Sequence, residues 1–280
     1  MIIVSDFADT VPAALRSHGR LALGFRAADG ATRLHDRGEG GCLRVRVPRR
    51  IAGEGLEAVI VNTSGGLCGG DTLTQDIVWG AGAQATITTQ AAEKVYRARG
   101  GDTRIDTRLT VGEGAAAAWL PQETILFDGA RLRRETTIEL AADARLVWAE
   151  SLVFGRTARG EAMDGGTLRD ALRIRRAGGL IHADVLDLGE APAARLAVPA
   201  LGDGARASGM ILVAGPDVMA QRDAVRAGLA QSGALAGASA WNGLLAVRLL
   251  ARDPAAVRAG MNAALRVVLG VAALPRVWRC

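Results

Sequence analysis

Apolar and polar residues alternate along much of the chain before position 155. In Cys42-Leu43-Arg44-Val45-Arg46-Val47 the apolar Leu43, Val45 and Val47 share one face, and Ile105, Thr107, Leu109 and Val111 do the same further on. Successive side chains on a strand point to opposite faces, so a period of two predicts strands with one buried face. Gly80-Ala81-Gly82, Gly112-Glu113-Gly114 and Ala141-Ala142-Asp143 separate such runs, which predicts short turns.

Three stretches, each following an alternating strand, look alike: 82–90, 114–122 and 142–150, ending in Gln90, Gln122 and Glu150. The spacings of 32 and 28 residues suit a unit that winds back on itself and stacks, with a meander of β-hairpins as the alternative. Either arrangement makes the middle of the chain β.

The period changes towards the carboxyl end. Asp217 is placed to cap a helix over Val218–Leu229, with Val218, Gln221, Arg222 and Val225 at turn spacing. A second helix is predicted from Asp253-Pro254 to about Leu269, with Gly270 ending it and Val257, Met261, Leu265 and Val268 facing a core. Between them, Leu244–Leu250 reads as a buried strand. No Pro/Gly/Ser-rich linker separates these elements from the β body, so residues 1–280 are expected to form one domain.

Composition narrows the function. With 49% hydrophobic and 22% charged residues the chain has the makings of a packed core. The net charge of +5 comes from arginines set beside acids, as in Arg104-Ile105-Asp106 and Arg134-Glu135, and no basic stretch interleaves with aromatics, which favours a solvated mixed face over nucleic acid or membrane. Lys94 is the one lysine. Met1–Phe7 lacks the basic start and apolar run of a signal peptide, and no apolar run approaches a membrane span, so a cytoplasmic protein is expected. Cys42, Cys68 and Cys280 are odd in number and widely spaced, as reduced thiols are.

Candidate chemistry is sparse. There is no G-x-S-x-G or H-E-x-x-H, and the histidines are His18, His35 and His182 alone. The glycine-rich Ser64-Gly65-Gly66-Leu67-Cys68-Gly69-Gly70-Asp71 lacks the Lys-Ser/Thr of a P-loop and reads as a tight corner between strands, with Cys68 as a small buried hydrophobe. Two other readings stay open. Asp128, Glu150 and Glu161 could serve a β-helix carbohydrate-active hydrolase, and the arginines a nucleic-acid-binding protein.

Four blocks in order carry a family resemblance: Gly69-Gly70-Asp71-Thr72-Leu73, Thr88-Thr89-Gln90-Ala91-Ala92-Glu93-Lys94-Val95-Tyr96-Arg97, Leu120 through Leu132, and Gly155-Arg156-Thr157-Ala158-Arg159-Gly160-Glu161, followed by Pro275-Arg276-Val277-Trp278-Arg279. Together they resemble the UreD (UreH) urease accessory proteins, with departures at Glu93 and Arg159. The resemblance implies a flattened β-helix of stacked strands with two α-helices near the C-terminus, and a non-catalytic chaperone in nitrogen metabolism. Its implied partners are UreF, the GTPase UreG through UreF, and the urease apoprotein, without nucleic acid or membrane. It implies no tightly bound cofactor but nickel in transit. Three dispersed histidines and three dispersed cysteines do not make a tight nickel site, whereas carboxylates make exchangeable contacts. Asp71 and Glu161 are the first candidates for that path, with Thr88 and Glu150 behind them because the repeat register could align both on a polar inner face. Gly69, Gly70, Gln90, Gln122, Asp128 and Arg131 are expected to be structural, Arg131 pairing with Asp128 or Glu123.

Overall fold

The computed structural model describes residues 16–49 and 55–279. Met1–Phe7 and Cys280 lie outside the described residues.

The chain winds back and forth between two facing sheets. One sheet receives β5 (Thr72–Trp79), β8 (Thr103–Val111), β11 (Arg131–Leu140) and β13 (Thr167–Arg176), all parallel neighbours. The other receives β4 (Leu56–Asn62), β6 (Gln84–Thr89), β9 (Ala116–Leu120) and β12 (Arg145–Phe154), again parallel. Successive strands therefore belong to opposite sheets, which is a flattened β-solenoid, as expected from the repeat. Turns at Gly80–Ala83, Gly112–Ala115 and Ala141–Ala144 link the sheets, each closed by the backbone N–H of its fourth residue donating to the carbonyl of its first.

Antiparallel strands finish both sheets. In the first, β1 (His18–Ala28) runs parallel to β5 and pairs antiparallel with β2 (Ala31–Gly41), and β14 (Gly179–Asp187) runs antiparallel to β13, making seven strands. In the ten-stranded sheet β3 (Leu43–Arg46) pairs with β4, while β15 (Ala207–Ala214), β17 (Leu244–Ala251) and β16 (Leu235–Trp241) continue from β12. The short β7 (Glu93–Val95) and β10 (Thr124–Leu126) run parallel at the edge of that sheet beside the end of β12.

The space between the sheets is filled by the inward positions of each strand. In β8 these are Ile105, Thr107, Leu109 and Val111, all buried, as the alternation predicts. Val47 departs from the pattern: β3 ends at Arg46, and Val47 is 40% exposed. A second core lies on the outer face of the ten-stranded sheet, under α2 (Val218–Leu229) and α3 (Pro254–Leu269). The α3 side chains Val257, Met261, Leu265 and Val268 are buried there, and Asp253 accepts the Ala255 N–H at 2.9 Å as its cap. The α2 cap differs from expectation. The Asp217 carboxylate makes no capping bond and faces Arg145 at 3.6 Å, leaving its backbone carbonyl to take the Ala220 and Gln221 N–H groups. A six-residue α1 (Pro192–Ala197), too short to show a helical period, was not expected. No helix among the described residues is long and apolar enough to cross a membrane.

The repeat register is corrected by one residue. Gln84 pairs with Ala116 and Ala116 with Arg145, steps of 32 and 29 residues rather than 32 and 28. The turns decide this, because Ala141 occupies the place of Gly112, and Asp143 then reaches the Gly114 N–H at 3.0 Å. One residue reverses the face of a side chain. Thr88 pairs with Leu120, on the face that packs under the helices, while Glu150 points between the sheets. Thr88 and Glu150 therefore do not share an inner face.

Candidate functional site

The glycine corner closes the start of β5. A Cβ on Gly69 would stand 2.7 Å from the Gly100 carbonyl oxygen and 2.8 Å from that of Gly101, and Gly70 has φ +89°, so both positions need the missing side chain. Asp71 is buried, and its two oxygens accept the N–H groups of Ser17 and Cys68, each at 2.8 Å. Arg16 donates to the Cys68 sulfur at 3.3 Å. Cys68 is only partly buried, yet burial first and then Asp71 push its thiol pKa up, which keeps it protonated.

The block from Leu120 to Leu132 is a corner, as expected, but its ion pairs are different. Arg131 donates to Asp102 at 2.9 Å, one coil earlier, not to Asp128 or Glu123. Asp128 pairs with Arg97 and accepts the Gly165 N–H at 2.8 Å. Parallel stacking brings together residues about one coil apart, and this outweighs closeness in sequence. Glu161 holds the next loop: it pairs with Arg156 and accepts the Asp128 N–H at 3.2 Å. The Arg156 hydrogen bond lowers its pKa to about 2. Asp71, Asp128 and Glu161 thus each tie backbone segments together, and Glu150 lies apart from them. Asp128 and Glu161 are each engaged by an arginine, Arg97 and Arg156.

A polar chamber of about 180 Å³ lies between the sheets. Gln75, Thr107 and Arg134 enter it from one sheet and Trp119 and Glu150 from the other, with Glu93 lining it at the β7 end. Gln75 donates to Thr107 at 3.2 Å across adjacent coils. Arg134, which its neighbour Glu135 suggests is solvated, is 5% exposed. Its Nε and Nη2 donate to the two oxygens of Asp170 at 3.0 and 2.5 Å, and Nη2 also stands 2.6 Å from Glu150 Oε2. The second contact is a charge contact without hydrogen-bond alignment, and Oε2 accepts no aligned hydrogen bond. Burial opposes the charge on Arg134, but Asp170 and Glu150 outweigh it and raise its pKa.

Two chamber carboxyls are shifted into the neutral range. Burial raises Glu150 to about 7, with Arg134 pulling it down and Asp170 pushing it up. Burial likewise raises Glu93 to about 7, although the Asn62 amide donates to both its oxygens at 3.1 Å. Between its usual value of 4.5 and about 7, folded Glu93 holds a proton that the unfolded chain releases. Its stabilising contribution is full below the lower value and lost as pH rises through the upper one. Unfolding free energy measured in urea from about pH 5 to pH 8 is therefore expected to carry a falling component that Glu93→Gln removes. An identical pH profile in the variant would show Glu93 to be an ordinary carboxylate.

Gln122 and residues 90–92 line both this chamber and a more open cavity of about 410 Å³ beside the start of α3. These residues form the partition between the interior and the outer face. Gln122 is buried with its amide nitrogen unpartnered, and Gln90 is exposed. Among the described residues no group of three or more His, Cys, Asp and Glu side chains comes together as a metal site. The sequence reading missed Gln75, Arg134 and Asp170. Their signal was present, since each is a polar residue at an inward position of a strand whose other inward positions, Thr136 apart, are mainly apolar.

Fold and chamber define a two-sheet β-solenoid with a polar lumen and a helical layer on one outer face. Comparison with known proteins gives the family. The model of the UreD urease accessory protein family matches residues 17–279. A urease accessory protein UreD from Methylobacterium sp. (strain 4-46) is 49% identical over 276 residues, covering 96% of both chains. One from Xanthobacter autotrophicus is 49% identical over 94% of this chain and 90% of its own, and one from Azorhizobium caulinodans 45% identical over 95% and 98%. The chain belongs to the UreD urease accessory protein family.

Proposed function

We propose that this protein is a cytoplasmic, non-catalytic scaffold of urease maturation that binds UreF, UreG through UreF, and the urease apoprotein, and that nickel crosses its interior chamber on the way to the urease active site. Family membership over 17–279 supports the role in maturation. The chamber carries the nickel reading: Glu93 and Glu150, with neutral oxygens from Gln75 and Thr107, make the weak, exchangeable contacts that suit transfer rather than storage. Asp71 and Glu161, spent on backbone N–H groups and Arg156, shape the loops they sit in, and nickel is the cargo, not a resident cofactor.

The partner reading has support in the surface. Leu180, Leu201 and Leu235 are each more than half exposed, a cost that a binding partner relieves. Expressed alone the chain is expected to aggregate, and co-expression with UreF to return it to solution. Tagged chain purified from cells carrying the urease operon should retain UreF, UreG and urease. A chain that is monodisperse alone, gains no thermal stability from UreF and retains neither UreF nor urease would overturn the scaffold reading.

A further inference from the structure

Arg134 lines the chamber beside Glu150. Its guanidinium lies between two carboxylates, and the two contacts are unequal. The Nε and Nη2 fork is aligned on Asp170, at 3.0 and 2.5 Å. Glu150 Oε2, 2.6 Å from Nη2, receives charge but no aligned hydrogen bond. The Trp119 indole N–H also faces Glu150 without alignment. Glu150 is 7% exposed and lines the chamber, so it is a buried carboxylate with unspent accepting capacity beside open space.

We propose that Arg134 is a resident cation that closes the chamber to divalent metal ions, so that an ion can occupy Glu150 only when the guanidinium gives up its contact there. The proposal rests on the reading that nickel crosses this chamber. The repulsion follows from charge and distance. A double positive charge at Glu150 would stand a few ångströms from the guanidinium, and in a poorly screened interior that repulsion cancels much of what one carboxylate gives back. The contact to Glu150 is the one to give up, because it is unaligned, whereas the guanidinium is held by its fork on Asp170 and by a 3.4 Å hydrogen bond from Nη1 to Thr124. Of the other polar groups lining the space, Gln75, Thr107 and Gln122 are uncharged and Glu93 and Lys94 stand side by side on β7, so Arg134 is the cation in contact with Glu150.

The test is nickel(II) binding to the full-length chain, kept soluble by its UreF complex and measured by equilibrium dialysis against the complex carrying wild-type chain. The double variant Arg134→Gln with Asp170→Asn removes one charge of each sign, so the net charge of the trio is unchanged. It is expected to bind nickel about tenfold more tightly or better than wild type, a modest share of the Coulomb repulsion removed. Adding Glu150→Gln is expected to abolish the gain. Should the double variant fail to fold, Arg134→Met with Asp170→Leu takes its place: it removes the same two charges with apolar side chains, and tighter binding is again expected. Wild-type affinity in whichever double variant folds overturns the proposal, as does a gain that survives Glu150→Gln. The readout does not use urease. Tight binding with normal urease maturation by a Glu150→Gln chain would keep the gate and reject nickel transit, and the reverse pattern would do the opposite.

Discussion

Arg134→Ala is expected to cost about 3–5 kcal/mol of stability, the range for removing one partner of a buried ion pair. The truncation leaves Asp170 without its two hydrogen bonds and Glu150 without its counter-charge, both at inward positions between the sheets. The alternative, that this is an ordinary ion pair contributing about 0–1 kcal/mol, applies to exposed pairs such as Arg133 with Glu135 or Arg108 with Asp76. Side-chain exposures of 7%, 8% and 18% for Arg134, Glu150 and Asp170 decide between the two. For a chain of this size the melting temperature should fall by roughly 10 °C. Replacing all three by apolar residues of similar volume should recover most of the loss, since the cost comes from stranded charge rather than from a missing attraction. Wild-type stability in Arg134→Ala would show that the chamber is wet enough to solvate the two carboxylates.

Trp278→Ala is expected to cost about 3–5 kcal/mol, as removal of a large buried aromatic does. Trp278 is 2% exposed in the core beneath α3, its indole N–H donates to the Leu120 carbonyl at 2.9 Å, and Arg258 stacks 4.2 Å from the ring centre. Truncation therefore opens a cavity, strands a buried carbonyl and removes the ring on which Arg258 stacks. Leu120 ends β9 two residues before Gln122, so the damage should reach the partition between the chamber and the outer face. Hydrogen exchange should show lost protection at Leu120 and along α3, with β1 and β2 little changed. Protection lost equally everywhere would mean that the two cores unfold as one unit.

The elements were legible where one residue's surroundings are set by its own neighbours in sequence. The helix over Val218–Leu229 and the Asp253 cap followed from local spacing, and so did the inward face of β8. What failed depended on the coil. The register slip arose because Gly114 was matched to Ala142 on residue type, whereas turns superpose through backbone hydrogen bonds, which place Asp143 beside Gly114. Arg131 was assigned to carboxylates in its own turn, but a parallel solenoid sets residues about one period away side by side: Arg131 with Asp102, Arg97 with Asp128, Arg134 with Asp170. The chamber was hidden for the same reason. Gln75, Thr107, Arg134 and Glu150 are unremarkable singly, and only the winding puts them in one space. Glu150 was selected on a register one residue out, and its own place in the chamber has a different cause.

The central claim is that the interior chamber, rather than Asp71 and Glu161, carries nickel during urease maturation. The direct measurement is the nickel content of urease purified from cells in which Glu150→Gln replaces the wild-type chain beside the complete accessory set. This substitution leaves the Arg134 fork on Asp170, so complexes should assemble and be recovered in wild-type amounts. The account predicts nickel-poor urease within those intact complexes. Full nickel occupancy with the Glu150→Gln chain, and again with Glu93→Gln added, would contradict it.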